Sequence, residues 1–398
     1  MMQRPRFADS AGPLRRLMPR RKELPAFVLQ AALLVLIGVF AALVATNVTA
    51  NVARLNLHVG FGFLFRTAGF EIAQTAIPYS ENSTYLIAFL AALINTILLA
   101  VISIVCGTIL GFAIALARLS TNPLLSSLAH GYIELVRNIP LLLQLFFWYF
   151  AVLATLPSPR QSLNFFNAAF LNNRGLSLPA PLAGPGLPLF LLTAAIGIGA
   201  AVFLFTRARR YRVASGRPAP GLMASALACL CAPVLVTALT GAPVIWDIPH
   251  LAGFNIDGGV AVIPEFVAMA VGMSVYGSAF IAELVRGAIA AVNDGQAEAG
   301  RALGLSPWRI NTKIVIPQAL RFILPPLIGQ YVSLLKNSSL ASAIGYPDLM
   351  LIFAGTALNQ TGQPLEIMAM TMASYLLLCL LISSIGNIVN RRLRLVER

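Results

Sequence analysis

Apolar runs of about twenty residues recur along the chain, and they constrain its fold more than any other feature. An α-helix rises 1.5 Å per residue, so about twenty apolar residues cross the roughly 30 Å hydrocarbon core of a bilayer. Hydrophobic residues make up 58% of the sequence and charged residues only 11%, which excludes a soluble enzyme. The sequence therefore predicts an all-α, polytopic integral membrane protein. We expect about eight spans, near 26–46, 85–117, 139–156, 187–206, 220–241, 262–285, 319–336 and 367–388.

The placement of Lys and Arg indicates how these spans are oriented. Cytoplasmic loops retain basic residues, whereas translocated loops carry few of them. An even number of spans puts both termini in the cytoplasm, and the net charge of +14 then reflects topology and not nucleic-acid binding. With the N-terminus inside, most of the 28 basic residues fall in the cytoplasmic segments 1–25, 118–138, 207–218, 286–321 and 389–398.

The first apolar run and the cysteines have simple interpretations. The run follows the basic stretch "PRRKELPAF", but it is longer than the roughly 7 to 15 apolar residues of a secretory signal. We therefore expect an uncleaved anchor. The four cysteines lie inside apolar runs without metal-ligand spacing, so the sequence predicts neither a disulfide nor a metal site.

The stretch "GQAEAGRALGLSPWRINTKIVIPQAL", residues 295–320, concentrates charge in a cytoplasmic loop of this apolar chain. Asn293 or Asp294 can cap a helix that ends at Gly304, where glycine adopts a left-handed conformation cheaply. Ser306 and Pro307 then favour a second helix start. The sequence thus predicts a helix, a sharp turn and a second helix. An ordinary solvated loop is the alternative interpretation.

This loop resembles the EAA loop of ABC-transporter permeases. The matching residues are Glu298-Ala299-Gly300, then Gly304 after three residues, Ile314 after nine, and Ile316-Pro317. Two positions depart from the family pattern, Gly300 in place of alanine and Ile316 in place of leucine.

Further blocks between 85 and 390 are similar to the permease subunits of polar amino-acid importers: "NTILLAVISIVCGTILGFAIALARLS", "YIELVRNIPLLLQLFFWY", "FIAELVRGAIAAVNDGQAEAGRALGLS" and "LLKNSSLASAIGYPDL". The chain length and an apparent insertion of two spans within 187–241 make the chain most similar to the larger, Q-type subunit of general L-amino-acid importers. We expect an N-terminal arm, anchor and outer loop in 1–84, the permease domain in 85–390, and a cytoplasmic tail in 391–398.

The resemblance implies a type I ABC importer in the bacterial inner membrane. Such an importer combines two homologous permeases, a cytoplasmic ATPase dimer and a periplasmic amino-acid-binding protein. No lysine of this chain follows a glycine, as a phosphate-binding P-loop would require. ATP and magnesium are therefore expected on the partner ATPase, with no cofactor on this chain. The residues near 293–318 that the resemblance assigns to ATPase coupling are Glu298, Ala299, Gly300, Arg301, Gly304, Ile314 and Pro317.

In this assignment Glu298 meets a basic ATPase residue, Ala299 and Gly300 permit close approach, and Gly304 reverses the chain. Ile314 and Pro317 seat the second helix against the membrane core.

Polar residues inside the spans are candidates for the substrate path. Glu283 and Arg286 lie three residues apart on one helical face, so an internal ion pair is one interpretation. In the other, Glu283 lines the substrate path and recognises an ammonium or a cationic side chain of the substrate. Lys336, Asn337, Ser338 and Ser339 end the seventh span and offer donors to a substrate carboxylate. Snorkelling of Lys336 to the interface is the alternative there.

Two other functions remain open at this point. An ion-coupled secondary amino-acid transporter would need an ionisable relay near the bilayer midplane, and only Glu283 lies deep enough to serve. A membrane enzyme acting on lipid-linked substrates would need a nucleophile or a metal, for which the loops show no constellation. The outer segment 157–188, rich in Pro, Asn and Gly, is either a contact for the binding protein or a spacer.

Overall fold

A computed structural model of the protein describes residues 24–54, 60–216, 219–240 and 242–393. Most of the predicted N-terminal arm and cytoplasmic tail lies outside the described residues, and so do both termini. The helices are α1 (Leu24–Arg54), α2 (Tyr85–Arg118), α3 (Pro123–Asn138), α4 (Leu141–Phe146), α5 (Leu187–Ser215), α6 (Pro220–Thr240), α7 (Pro264–Ala290), α8 (Asp294–Ala302), α9 (Pro307–Ile310), α10 (Ile316–Asn337), α11 (Leu358–Thr361) and α12 (Pro364–Leu393).

Wider π-helical turns extend several of these helices. Phe147–Leu153 continues α4, Asn311–Val315 joins α9 to α10, and Met350–Ala357 leads into α11.

Five of the described helices, α1, α2, α5, α7 and α12, are long and apolar enough to cross a membrane. The pair formed by α3 and the helix Leu141–Leu153 brings the number to six if it counts as one span, and its two halves are bent by 105°. The polytopic helical fold is therefore confirmed, but the count of eight is not. The segments predicted at 220–241 and 319–336 form α6 and α10, which are not among those helices.

Helix α7 is the centre of the bundle, because α2, α3, α4 and α10 all pack against it. Small residues permit the close approach. A Cβ at Gly111 of α2 would lie 2.8 Å from Cβ of Ile281 and 2.9 Å from the Ser278 carbonyl oxygen. Since these helices have no room between them, the crossing of α2 and α7 depends on glycine.

A second core joins the first half of α2 to the segment that follows α10. Asn95 is buried and donates through Nδ2 to the carbonyl oxygens of Gln74 and Pro347, at 2.7 and 2.9 Å. The Tyr346 hydroxyl donates to the Asn95 carbonyl oxygen at 3.1 Å. These bonds satisfy polar groups that would otherwise be buried without partners.

Eight short strands, which the sequence did not predict, are found in the part of the chain that the structure describes. They lie in the two segments that flank the α5–α6 pair: β1 (Leu163–Phe165), β2 (Ala169–Asn172), β3 (Gly175–Leu178), β4 (Ala180–Ala183), β5 (Val244–Asp247), β6 (His250–Ala252), β7 (Asn255–Asp257) and β8 (Val260–Val262). One sheet has the order β1-β2-β3-β8, and β4 pairs with β5 and β6 with β7, all antiparallel.

The β4–β5 pair fastens together the two ends of the hairpin that α5 and α6 form. These helices pack chiefly against each other, and a Cβ at Gly197 would lie 2.4 Å from the Cys229 carbonyl oxygen. Many of the large apolar side chains of α5 are exposed, as expected of a helix that faces lipid. Helices α5 and α6 lie where the two inserted spans are predicted, within 187–241.

Candidate coupling loop and translocation path

The loop between α7 and α10 has the predicted local structure. The Asn293 side chain caps α8 by accepting from the Gly295 backbone N–H at 2.8 Å. Gly304 follows α8 with a φ of 73°, and its N–H donates to the Arg301 carbonyl oxygen at 2.9 Å. Ser306 precedes α9 as expected, but its side chain forms no capping hydrogen bond.

Gly300 lies on the inner face of α8, so its predicted position on the docking face is wrong. It is buried, and a Cβ there would lie 3.0 Å from Cγ1 of Ile310 and 3.1 Å from Cδ1 of Ile314. The contact explains why glycine fits where the family pattern has alanine, since a methyl group would press on two isoleucines. Gly300 therefore serves the packing of α8 against the following helix.

Ile314 packs beneath α8, whereas Pro317 is exposed at the start of α10. The expectation that both seat the second helix therefore does not hold for Pro317. A proline in the first turn costs no hydrogen bond, because the N–H there has no helical partner. Gln318 instead ties the two helices, through a 3.3 Å bond from its Nε2 to Oε1 of Gln296.

The outward face of the loop combines charge with apolar side chains. Glu298, Ala299 and Arg301 are exposed, as predicted. Leu303 and Trp308 are also exposed, to 79% and 76%, and the sequence analysis overlooked both. Large apolar side chains exposed beside a turn are typical of a protein contact. The sequence did contain a signal for this surface, because Trp308 is a large apolar residue in an otherwise polar loop.

Glu283 and Arg286 form a bidentate ion pair on α7. Arg286 donates from Nε to Oε2 at 2.8 Å and from Nη2 to Oε1 at 2.5 Å. About a third of each side chain is exposed. Arg118 and Arg137 also lie close enough to attract the Glu283 carboxylate, and the Arg137 guanidinium stacks 5.4 Å from the Phe280 ring centroid. One arginine thus pairs with the carboxylate, and two more attract it from a greater distance.

The second group of path candidates lies at another depth. Leu334 of α10 contacts the position of Gly277 on α7, and Glu283 lies six residues further along α7, a rise of about 9 Å. Lys336 is exposed, Asn337 is partly buried and Ser338 is fully buried. The hydroxyls of Ser338 and Ser339 donate to carbonyl oxygens of their own helix. Of these four candidates, only Lys336 and Asn337 therefore keep side-chain donors for a ligand.

The bend between α3 and α4 is held by a residue that the sequence analysis overlooked. Gln144 is buried, and its Nε2 donates to the carbonyl oxygens of Val136 and Ile139 at 2.8 and 2.9 Å. These carbonyls end α3, where no helical N–H can reach them. A cavity of about 320 Å³ adjoins the bend and is lined mainly by apolar side chains, including Leu143, Phe147, Trp148 and Val275.

We expect Gln144→Leu to reduce stability by about 2 kcal/mol, because it leaves the buried Val136 carbonyl oxygen and the partly buried Ile139 carbonyl oxygen without this donor. Thermal unfolding of the purified chain in detergent measures the effect. Asn138→Leu is the matched control, since that amide is exposed at the same bend and should change stability by less than about 0.5 kcal/mol. Equal unfolding temperatures for the two variants would show that Gln144 does not hold the bend.

Among the described residues, no three of His, Cys, Asp and Glu lie close enough together to hold a metal ion. The absence of a cofactor from the whole chain stays a prediction.

Comparison with known proteins identifies the family. The model of a binding-protein-dependent transport system inner membrane component matches residues 212–395. The amino-acid ABC transporter permease protein YhdX of Escherichia coli is 49% identical over 352 residues, which are 88% of this chain and 90% of YhdX. The general L-amino acid transport system permease protein AapQ of Rhizobium johnstonii is 43% identical over 366 residues, 92% of this chain and 91% of AapQ.

One solved structure, an amino acid ABC transporter with histidines, has 23% identity and a TM-score of 0.47, and the alignment covers 77% of this chain and 95% of that one. The family assignment rests on the sequence relatives, which share nearly their whole length with this chain. Together with the apolar helices, they show that this multi-pass inner-membrane protein belongs to the family of amino-acid ABC transporter permeases.

Proposed function

We propose that this chain imports L-amino acids as one permease of a heteromeric complex. Its partners in the proposal are a cytoplasmic ATPase dimer, a second homologous permease and a periplasmic amino-acid-binding protein. ATP and magnesium bind to the ATPase, and this chain hydrolyses nothing. The observation that carries the proposal is the exposed, capped helix α8, which stands at the end of the central helix α7.

The proposed coupling step is mechanical. The exposed face of α8 docks in a cleft of the ATPase, where Glu298 meets a basic residue and Leu303 and Trp308 supply apolar area. Gly300, Ile310 and Ile314 pack α8 against the chain that continues into α10. A displacement of α8 is therefore transmitted to α10 and, through the interface of α10 with α7, to the centre of the bundle.

The proposed substrate path runs beside α7. The arginines around Glu283 leave an excess of positive charge on the inner half of the path, which favours the α-carboxylate that all amino acids carry. Lys336 and Asn337 provide a second set of donors about 9 Å or more away along the helices. The two sets are consistent with successive positions of one substrate.

We expect uptake by the reconstituted complex to require ATP, the ATPase and the binding protein together. An ion gradient alone should drive no uptake, because in this proposal the energy enters through the contact of α8 with the ATPase. The measurement is accumulation of labelled L-amino acids in proteoliposomes. Uptake by this chain alone on an ion gradient would favour a secondary transporter, and turnover of a lipid would favour an enzyme.

Glu298→Lys should reduce ATP-driven uptake at least about tenfold, since it replaces an attractive charge at the proposed contact by a repulsive one. Insertion should be unchanged, because the side chain is exposed. Glu81→Lys is the matched control, with an exposed carboxylate in the outer segment before α2. Crosslinks from Cys introduced at position 299 should trap the ATPase. Normal uptake by Glu298→Lys, or crosslinking that never captures an ATPase, would contradict the docking assignment.

A further inference from the structure

A cluster of arginines at the end of α5 is not used by the proposed transport mechanism. Arg207, Arg209, Arg210 and Arg212 are all exposed, and no acidic residue occurs in the sequence between Glu134 and Asp247. No carboxylate among the described residues forms an ion pair with any of these four arginines. The cluster is therefore a concentration of positive charge that no described carboxylate neutralises.

The length of α5 places this cluster at the depth of lipid headgroups. Helix α5 begins at Leu187, directly after the strands, and Arg207 lies twenty residues further on, a rise of about 30 Å. That distance matches the thickness of the hydrocarbon core. The α5–α6 turn lies at the end of the hairpin opposite the strands, as the α8 loop lies at the opposite end of α7 from β8. This inference rests on the proposed docking of α8 to a cytoplasmic ATPase, which places both of these ends on the cytoplasmic side.

The arginines are arranged around two clefts and do not simply point into solvent. One cleft, of about 390 Å³, lies between α5 and α6 and is lined by Phe205, Ala208, Arg209, Arg212, Ala219 and Met223. Its neighbour, of about 400 Å³, is lined by Thr206, Arg209, Arg210, Val213 and Ala214. Arg209 lines both clefts, and Arg207 lines neither.

This combination matches the chemistry of an anionic lipid. Guanidinium groups bind phosphate oxygens through paired hydrogen bonds. The residues Phe205, Ala208 and Met223 give the first cleft an apolar wall that suits the glycerol and upper acyl carbons. Because α5 exposes apolar side chains below the cluster, acyl chains can extend along it. We propose that the cleft between α5 and α6 binds the phosphate of an anionic phospholipid of the cytoplasmic leaflet, with Arg209 and Arg212 as its ligands.

A diffuse attraction of basic residues to the membrane surface predicts a different result. Diffuse attraction depends on the number of charges and not on their position, so every arginine of the cluster would contribute equally. Binding in a defined cleft instead depends on the arginines that line the cleft. Arg207→Gln is therefore the matched control, because it removes one arginine of the same cluster from outside both clefts.

Native mass spectrometry of the purified full-length chain tests the site, with phosphatidylglycerol and phosphatidylcholine offered in equal amounts. The wild type should retain phosphatidylglycerol preferentially. Arg209→Gln/Arg212→Gln should weaken this retention at least about tenfold, as expected for the loss of hydrogen bonds to a charged group. Arg207→Gln should change it less than about twofold, and Arg209→Lys/Arg212→Lys should retain part of it.

A second variant keeps every arginine of the cluster but fills the cleft between α5 and α6. Ala219→Trp places an indole in the first cleft and should also abolish preferential retention. If Arg207→Gln loses about half as much binding free energy as the double variant, each arginine contributes equally, and the proposal is overturned in favour of diffuse attraction. Retention by Ala219→Trp equal to that of the wild type would overturn the cleft, and displacement of the lipid by millimolar inorganic phosphate would indicate a site for the free anion.

Discussion

Replacing Gly304 by valine is expected to reduce ATP-driven uptake at least tenfold while the protein still inserts into the membrane. Gly304 has a φ of 73°, which a β-branched residue adopts only at a cost of about 1–3 kcal/mol. Nothing lies within 4 Å of a Cβ placed there, so the cost comes from the backbone and not from a clash. The turn after α8 should relax, and the exposed face of α8 would lose its orientation toward the ATPase.

Labelled amino-acid uptake and ATP hydrolysis by the same reconstituted complex measure this effect. Gly304→Asn is the control at the same position, because asparagine tolerates the left-handed conformation and should keep most of the uptake. Gly287→Val is a second control, because it adds the same side chain to α7 at a position where a Cβ also meets nothing within 4 Å. Full uptake by Gly304→Val, or an equal loss in Gly304→Asn, would remove the conformational argument.

Gly111→Val is expected to destabilise the bundle by about 3 kcal/mol, near the upper end of the usual cost of overpacking. The new Cβ would lie 2.8 Å from Cβ of Ile281 and 2.9 Å from the carbonyl oxygen of Ser278. A backbone atom cannot rotate aside as the end of a side chain can, so α2 and α7 must separate. Because α7 contacts most of the bundle, the displacement should extend to neighbouring helices.

Thermal unfolding in detergent and the yield of folded protein report this change. Gly131→Val is the matched control, since Gly131 is exposed on α3 and nothing lies within 4 Å of a Cβ there. It should unfold within a few degrees of the wild type, as most exposed substitutions do. If Gly111→Val unfolds at the same temperature as Gly131→Val, the helix crossing does not depend on the missing side chain.

The local structure of the coupling loop was predictable because its causes are local. A cap at Asn293 and a left-handed glycine at 304 depend on the backbone of a few neighbouring residues. The burial of Gly300 was not predictable, because it depends on Ile310 and Ile314 of the next helix. For the same reason the exposure of Leu303 and Trp308 emerged only when the two helices were packed together.

The strands and the bend were missed for related reasons. Strands β3 and β8 pair Leu176 with Val262 across the whole α5–α6 pair, and short strands give little periodic signal. The 105° bend before α4 was hidden because Pro140 is equally compatible with a simple helix start. The role of Gln144 depends on carbonyl oxygens at the end of another helix.

The sequence by itself determined that this is a multi-pass membrane protein, which family it belongs to, and where the loop between α7 and α10 turns. Apolar length indicates the membrane spans and a left-handed glycine marks the turn, whereas the family follows from the residues that resemble other permeases. The tertiary structure decided which face of α8 is free, that Glu283 is shared among several arginines, and that Arg209 and Arg212 share a cleft. These properties are distances between side chains on different helices or turns, which become defined only when the helices pack.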